Sequence, residues 1–202
     1  MKGWLSTEDI RRAVDVASRV EEPLRWAERQ AAGVSRVRHA AVLVPVLVHE
    51  GRELELLFIV RPDDSSSHPG QVAFPGGVAE EGDDGPIATA LRETEEELGI
   101  DRRRPEVVGM LPALPTHTGF IVRPIVGLIH GDVELTPSAR EVAATFSVPL
   151  SELLAPERRR TMRSRWGPGQ PEFRLNFWPF APTPIWGATG HMVADLMARL
   201  AR

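Results

Sequence analysis

Two adjacent glycines, Gly76-Gly77, followed fifteen residues later by Arg92-Glu93-Thr94-Glu95-Glu96-Glu97-Leu98-Gly99, restrict this chain more than any other stretch. From Gln71 to Ile100 the sequence QVAFPGGVAEEGDDGPIATALRETEEELGI reads as strand, glycine turn, acidic loop and helix. Without a Cβ, glycine lets the backbone turn sharply and bring its carbonyls near a metal or its amides near a phosphate. Pro86 suits a first helical position, with Asp84 or Gly85 available as cap, and Gly99 supplies the stop. At about 100° per residue, Ile87, Leu91, Thr94 and Leu98 gather on one side. Glu93, Glu96 and Glu97 fall within roughly 100° on nearly the opposite side. Three carboxylates this close repel by a few tenths of a kcal/mol per pair on an exposed helix. A hard divalent cation reverses that sign, because Mg²⁺ and Mn²⁺ prefer oxygen ligands. Taken alone, the three glutamates also fit a solvated acidic face.

Arg92 to Ile100 resembles the second half of the Nudix box, the signature of hydrolases that cleave nucleoside diphosphates linked to another moiety. The usual box has a glycine fourteen residues before the arginine. Here that position is Val78, with Gly77 one step earlier, and Asp83 stands where a glutamate is usual. This one-residue-longer loop is similar to the coenzyme A pyrophosphatase branch. A second block supports the same branch: Leu56-Leu57-Phe58-Ile59-Val60-Arg61, then His68-Pro69-Gly70-Gln71-Val72-Ala73-Phe74-Pro75-Gly76-Gly77, resembles its upstream motif. The branch usually carries a second arginine after Arg61. This chain has Pro62 and a Ser65-Ser66-Ser67 run there, a change that bears on substrate and leaves the fold alone.

The remaining composition is that of one ordinary globular domain spanning 1–202. Its 202 residues are 42% hydrophobic and 26% charged, enough for one sizeable core. A net charge of −4 gives no electrostatic case for nucleic acid or an anionic membrane as partner. No apolar run is long enough to span a bilayer, no signal-peptide core is evident, and cytoplasm is the expected compartment. The absence of cysteine excludes disulfides and thiolate metal sites.

The first 35 residues read as a helical extension from Thr7 to about Ala32, capped by Ser6 or Thr7 and divided at Pro23. Ile10, Val14, Ala17 and Leu24 recur at helical spacing, which suits an accessory packing or homodimer element whose arginines face solvent. Ala40 to Val48 and Leu54 to Val60 resemble a hairpin, with Pro45 indicating an edge or a bulge. Arg61 ends the second strand, where it either binds a phosphate or pairs with the acidic loop. Val107 to Leu111 reads as a strand, Pro112 to Gly119 as a loop containing His117, and Ile121 to Ile129 as a strand interrupted by Pro124. A turn at Thr136 to Arg140 precedes Glu141 to Leu150, a pattern similar to the Nudix strand that enters a Val148-Pro149-Leu150 turn, with Ser151 to Leu154 opening a short helix. Pro156 to Pro184 suggests an irregular hairpin, with Arg158-Arg159-Arg160 either solvated or meeting a phosphate. Its aromatic residues read as packing rather than base stacking. Ile185-Trp186-Gly187-Ala188-Thr189 followed by a helix through Leu200 is again similar to the coenzyme A branch, which implies a closing helix docked on the sheet.

The resemblance implies a Nudix α/β/α sandwich, a mixed curved sheet between helices, covering about Val42 to Leu200. It implies Mg²⁺- or Mn²⁺-dependent hydrolysis of a small nucleotide-diphosphate substrate, coenzyme A or its thioesters first. Glu93, Glu96, Glu97 and the Gly77 carbonyl are the expected metal ligands. Arg92 is expected to hold Glu93 by a bidentate contact, and Glu93 or Glu141 to take the proton. Arg61, His68, Gly70, Phe74 and Gly76 are the expected substrate contacts. Related Nudix substrates, or a Nudix-fold binding module without turnover, are the alternatives.

Overall fold

The computed structural model describes residues 3–18, 38–63, 69–116, 119–165, 172–180 and 183–202. The expected break at Pro23, Leu24, the Ser65 to Ser67 run, His68 and His117 lie outside them, as do the side chains of Ala17 and Phe173.

The axis of the fold is β1 (Arg38–Val48), which runs parallel to β7 (Phe120–His130) over its whole length. Its other edge is shared by two antiparallel partners. β2 (Glu55–Val60) pairs at Val46 and Leu47, and β4 (Gly76–Val78) pairs at Ala40 to Val42. β2 carries β8 (Ala144–Pro149) along its full length and β3 (Val72–Ala73) at its end. β7 carries β5 (Glu106–Met110) and β6 (Leu114–Pro115). Among the described residues this makes one mixed eight-stranded sheet.

Two prolines sit within central strands whose mutual register is unbroken, where an edge or a bulge was expected at Pro45 and an interruption at Pro124. The partner changes explain both. The Leu43 amide donates to the Pro75 carbonyl, and strand alternation points residue 45 the same way, into the gap between β4 and β2. Pro124 accepts from the Leu111 amide where β7 passes from β5 to β6. In both places the missing N–H is one that no ladder requires. The expected loop after β5 likewise contains the short pairing of β6.

Alternation along the strands divides the core into two layers. Val44, Val46, Leu56, Phe58, Val126 and Leu128 face one way with Ile10, Val14, Met192, Val193 and Leu196. Leu43, Leu47, Leu57, Ile59, Ile125 and Ile129 face the other way with Ala90, Leu98 and Ile100. Helix α1 (Thr7–Ser18) and the C-terminal helix thus cover the first face, and α2 (Gly85–Leu98) covers the second. The α/β/α sandwich is the expected one.

α1 starts with a reciprocal cap: the Ser6 amide donates to Asp9 Oδ2 at 2.8 Å and the Asp9 amide to Ser6 Oγ at 3.3 Å. Ile10 and Val14 are fully buried in the chain's own core, and Arg11, expected to face solvent, pairs with Glu106 at 2.7 Å. α3 (Leu150–Leu154) leads into a hairpin, β9 (Arg160–Ser164) with β10 (Phe173–Phe177), where an irregular hairpin was expected. The fully buried Trp178 donates its indole N–H to the Leu153 carbonyl at 3.2 Å. α4 (Gly187–Leu200) buries Met192, Val193, Leu196 and Met197, and Thr189 Oγ1 donates to the Val72 carbonyl at 3.0 Å. Among the described residues no helix is long and apolar enough to cross a membrane.

Candidate active site

β4 and α2 meet at the paired glycines, where an added side chain would strike backbone at one position and the end of a side chain at the other. Gly76 has φ +149°, and a Cβ there would lie 2.3 Å from the Ala41 carbonyl oxygen. A Cβ on Gly77 would lie 2.5 Å from the Glu93 carboxylate. Glu93 therefore rests directly on the bare backbone of Gly77. The Gly76 amide donates to Glu97 Oε2 at 2.9 Å.

This arrangement changes the expected helix faces. Ile87, placed on the apolar side by periodicity, is 37% exposed, whereas Glu97, placed on the polar side, is only 3% exposed. The glycines leave room below α2 and offer an amide donor, so a carboxylate fits where a hydrophobic side chain would otherwise pack. Glu96 is exposed, consistent with the polar side. At the start of α2, Asp84 occupies the cap position without a side-chain capping bond, Pro86 lies in the first turn, and Gly99 closes the helix in the left-handed region at φ +70°.

Arg92 organises the carboxylates by a different geometry from the one expected. Its bidentate partner is Asp83, with Nε to Oδ1 at 2.9 Å and Nη2 to Oδ2 at 3.0 Å. Nη1 donates to Glu93 Oε1 at 3.0 Å and Glu96 Oε2 at 3.1 Å, and Nη2 also donates to the Val78 carbonyl at 3.1 Å. All five guanidinium donors are thereby engaged. Asp83 in turn accepts from the Glu80 amide at 3.0 Å and the Thr89 hydroxyl at 2.9 Å. Arg92 above all, then the Glu80 and Thr89 bonds, hold Asp83 well below the usual carboxylate range. Sequence reasoning noted Asp83 but missed this junction and Thr89. The signal was a carboxylate nine residues before the arginine, across a turn into the helix.

Burial pushes Glu97 up to about 7; the Gly76 hydrogen bond and the Arg61 charge oppose it, while the Glu93 and Glu141 charges add to it. Glu93 is also raised, first by burial, against the pull of Arg92. A buried carboxyl of raised pKa holds a proton in the folded chain that the unfolded chain has already lost. In chelator, this group's contribution to stability therefore falls as pH rises from about 4.5, the ordinary value, to about 7, then levels off. The loss is of order 3 kcal/mol, at about 1.4 kcal/mol per unit. Urea unfolding between pH 4 and 8.5 is expected to show this decline in the wild type and not in E97Q. Parallel pH profiles would exclude it.

The other sequence-derived candidates divide. Arg61 makes no ion pair with any described residue but acts electrostatically on Glu97, so the expected pairing with the acidic loop is not formed. Asp83 of that loop is already taken by Arg92. Glu141 is exposed on the turn before β8, its amide donating to Ser138, and its charge reaches both Glu93 and Glu97. Gly70 sits in a turn at φ +64° with its amide on the Pro62 carbonyl. Phe74 is a correction: it is 1% exposed and stacked on Phe58 with centroids 5.0 Å apart, so it belongs to the core. Arg158 pairs with Glu152 at 2.8 Å, and both line a cavity of about 340 Å³ at β8 and α3 that includes none of Glu93, Glu96, Glu97 and Glu141.

The donors suit a hard cation, being oxygens on a short helix above a glycine turn. Among the described residues, no three acidic or histidine side chains already converge on a point. Glu93 and Glu96 lean to Arg92, and Glu97 leans to Gly76.

A family model described as NUDIX domain matches residues 37–166. Over 160 residues the chain is 41% identical to a Photorhabdus laumondii protein named "Uncharacterized Nudix hydrolase NudL", covering 79% of this chain and 83% of that one. A Yersinia enterocolitica protein of the same name is 38% identical over 161 residues, 78% and 79% of the two chains. One from Escherichia coli K12 is 43% identical over 117 residues, 58% of this chain and 60% of its own length. Among solved structures, a MutT/nudix family protein from Enterococcus faecalis aligns with 98% of this chain and 76% of its own. The TM-score is 0.52 at 16% identity, a likeness of fold alone.

Proposed function

Since the chain belongs to the Nudix hydrolase family, whose members hydrolyse diphosphate linkages with divalent cations, we propose that its substrate is coenzyme A or a coenzyme A thioester. The products are 4′-phosphopantetheine and adenosine 3′,5′-bisphosphate. The observation that carries this reading is the pairing of two blocks. The strand leading into Arg61 and the Pro69 to Gly77 segment, both within blocks similar to the coenzyme A branch, adjoin the carboxylates of α2 through the charge of Arg61 and the amide of Gly76 on Glu97.

In this reading Glu93 and Glu97 are the main ligands, with Glu96 and the Gly77 carbonyl completing the set. A bound Mg²⁺ or Mn²⁺ would neutralise the diphosphate oxygens and lower the pKa of an attacking water. Arg92 fixes Glu93 and Glu96 through one nitrogen, Nη1. Arg61, free of ion pairs among the described residues, meets a substrate phosphate. Glu93 or Glu141 accepts the proton of the nucleophile.

R61A is expected to raise KM about ten- to a hundred-fold, the loss of a charged hydrogen bond, with little change in Tm. A large fall in Tm with KM unchanged would make Arg61 structural. A second reading, ADP-ribose, a dinucleotide or a nucleoside triphosphate, draws on Pro62 and Ser65 to Ser67 standing where the branch carries its second arginine. Incubation with Mg²⁺ or Mn²⁺ and a panel of coenzyme A, ADP-ribose, NADH and dNTPs, with products identified by mass, separates the two. Cleavage of coenzyme A to the two named products supports the proposal; preferential turnover of another member overturns it.

A further inference from the structure

Helix α2 buries two threonines completely, and their hydroxyls behave differently. Thr94 Oγ1 donates to the Ala90 carbonyl one turn back, at 2.7 Å, the usual partner of a helical threonine. Thr89 has that option at 3.3 Å from the Gly85 carbonyl, yet lies closer, at 2.9 Å, to Asp83 Oδ2. It thereby ties α2 to the acidic loop that precedes it.

Asp83 is the bidentate partner of Arg92, and its side chain is 7% exposed. With Nε and Nη2 held by Asp83 and Val78, the guanidinium offers Glu93 and Glu96 only Nη1. One nitrogen can orient two carboxylates while leaving their remaining oxygens open. A guanidinium released from Asp83 can instead turn its two-nitrogen fork onto one of them, the geometry that competes best with a cation.

We infer that Thr89 is a positioning residue for divalent-cation binding, acting through Asp83 on Arg92. This inference rests on the carboxylates of α2 being the cation site. Valine matches threonine in shape and removes only the hydroxyl, so T89V tests the hydrogen bond with packing held constant. Mn²⁺ affinity, read by electron paramagnetic resonance without substrate, is expected to weaken about ten-fold in T89V and return to within two-fold of wild type in T89S. T94V, the same change at the hydroxyl that stays within the helix, is expected to leave affinity unchanged.

A double-mutant cycle guards against a simple folding defect. In D83N the link to Arg92 is already weakened, so adding T89V is expected to cause little further loss. Unchanged affinity in T89V, an equal loss in T94V, or full additivity with D83N would each overturn the assignment. Those outcomes leave the metal site itself standing. No Mn²⁺ binding by the wild-type chain would instead defeat the site reading, and this inference with it.

Discussion

E97Q is expected to lose about 10³-fold in turnover while remaining at least as stable as the wild type in chelator at pH 8. Both effects have one cause. Glu97 is 3% exposed, and its carboxylate accepts the Gly76 amide while Glu93 and Glu141 add like charge. Glutamine keeps the volume and an acceptor for that amide but removes a buried negative charge, which relieves the fold. The same charge is what a divalent cation needs, and a thousand-fold loss corresponds to about 4 kcal/mol of transition-state stabilisation. Steady-state kinetics at saturating Mg²⁺, together with urea melts, check both halves. Unchanged turnover would remove Glu97 from the site; a destabilised variant at pH 8 would mean the carboxylate is structural.

The glycine pair is expected to separate folding from chemistry. In G76A the new Cβ would lie 2.3 Å from the Ala41 carbonyl oxygen and 2.5 Å from the Val42 Cα, backbone atoms of the central strand. The φ of +149° adds strain for any L side chain. Nothing there yields cheaply, so a loss of several kcal/mol is expected, at the upper end for single substitutions. In G77A the clash is with the Glu93 carboxylate, the mobile end of a side chain. That variant is expected to stay folded, with Tm close to wild type, and to lose activity as Glu93 is displaced. Equal Tm for G76A and wild type would contradict the turn geometry, and full activity in G77A would contradict the placement of Glu93 upon it.

Local patterns were legible in the sequence wherever neighbours along the chain decide the outcome. The end of α2 at Gly99 and the pairing of β1 with β2 follow from turn residues, caps and apolar runs, and the last helix from the resemblance. What could not be read were features set by distant strands. Pro45 and Pro124 look like strand breakers until β1 and β7 are seen to change partners beside them. Ile87 and Glu97 exchange their expected environments because burial on α2 depends on the glycines beneath it and not on helical period alone. The resemblance named the carboxylates and Arg92. It did not indicate that the guanidinium fork would close on Asp83, or that Phe74 would stack on Phe58 within the core.

The central claim is that the carboxylates of α2 exist to bind cations beside a diphosphate. Anomalous diffraction from crystals soaked in MnCl₂ with a non-hydrolysable diphosphate analogue tests it most directly. Manganese peaks shared by Glu93 and Glu97, with phosphate oxygens in contact with them and Arg61 on the phosphate side, are the predicted result. Ordered analogue with no manganese at these residues would contradict the account.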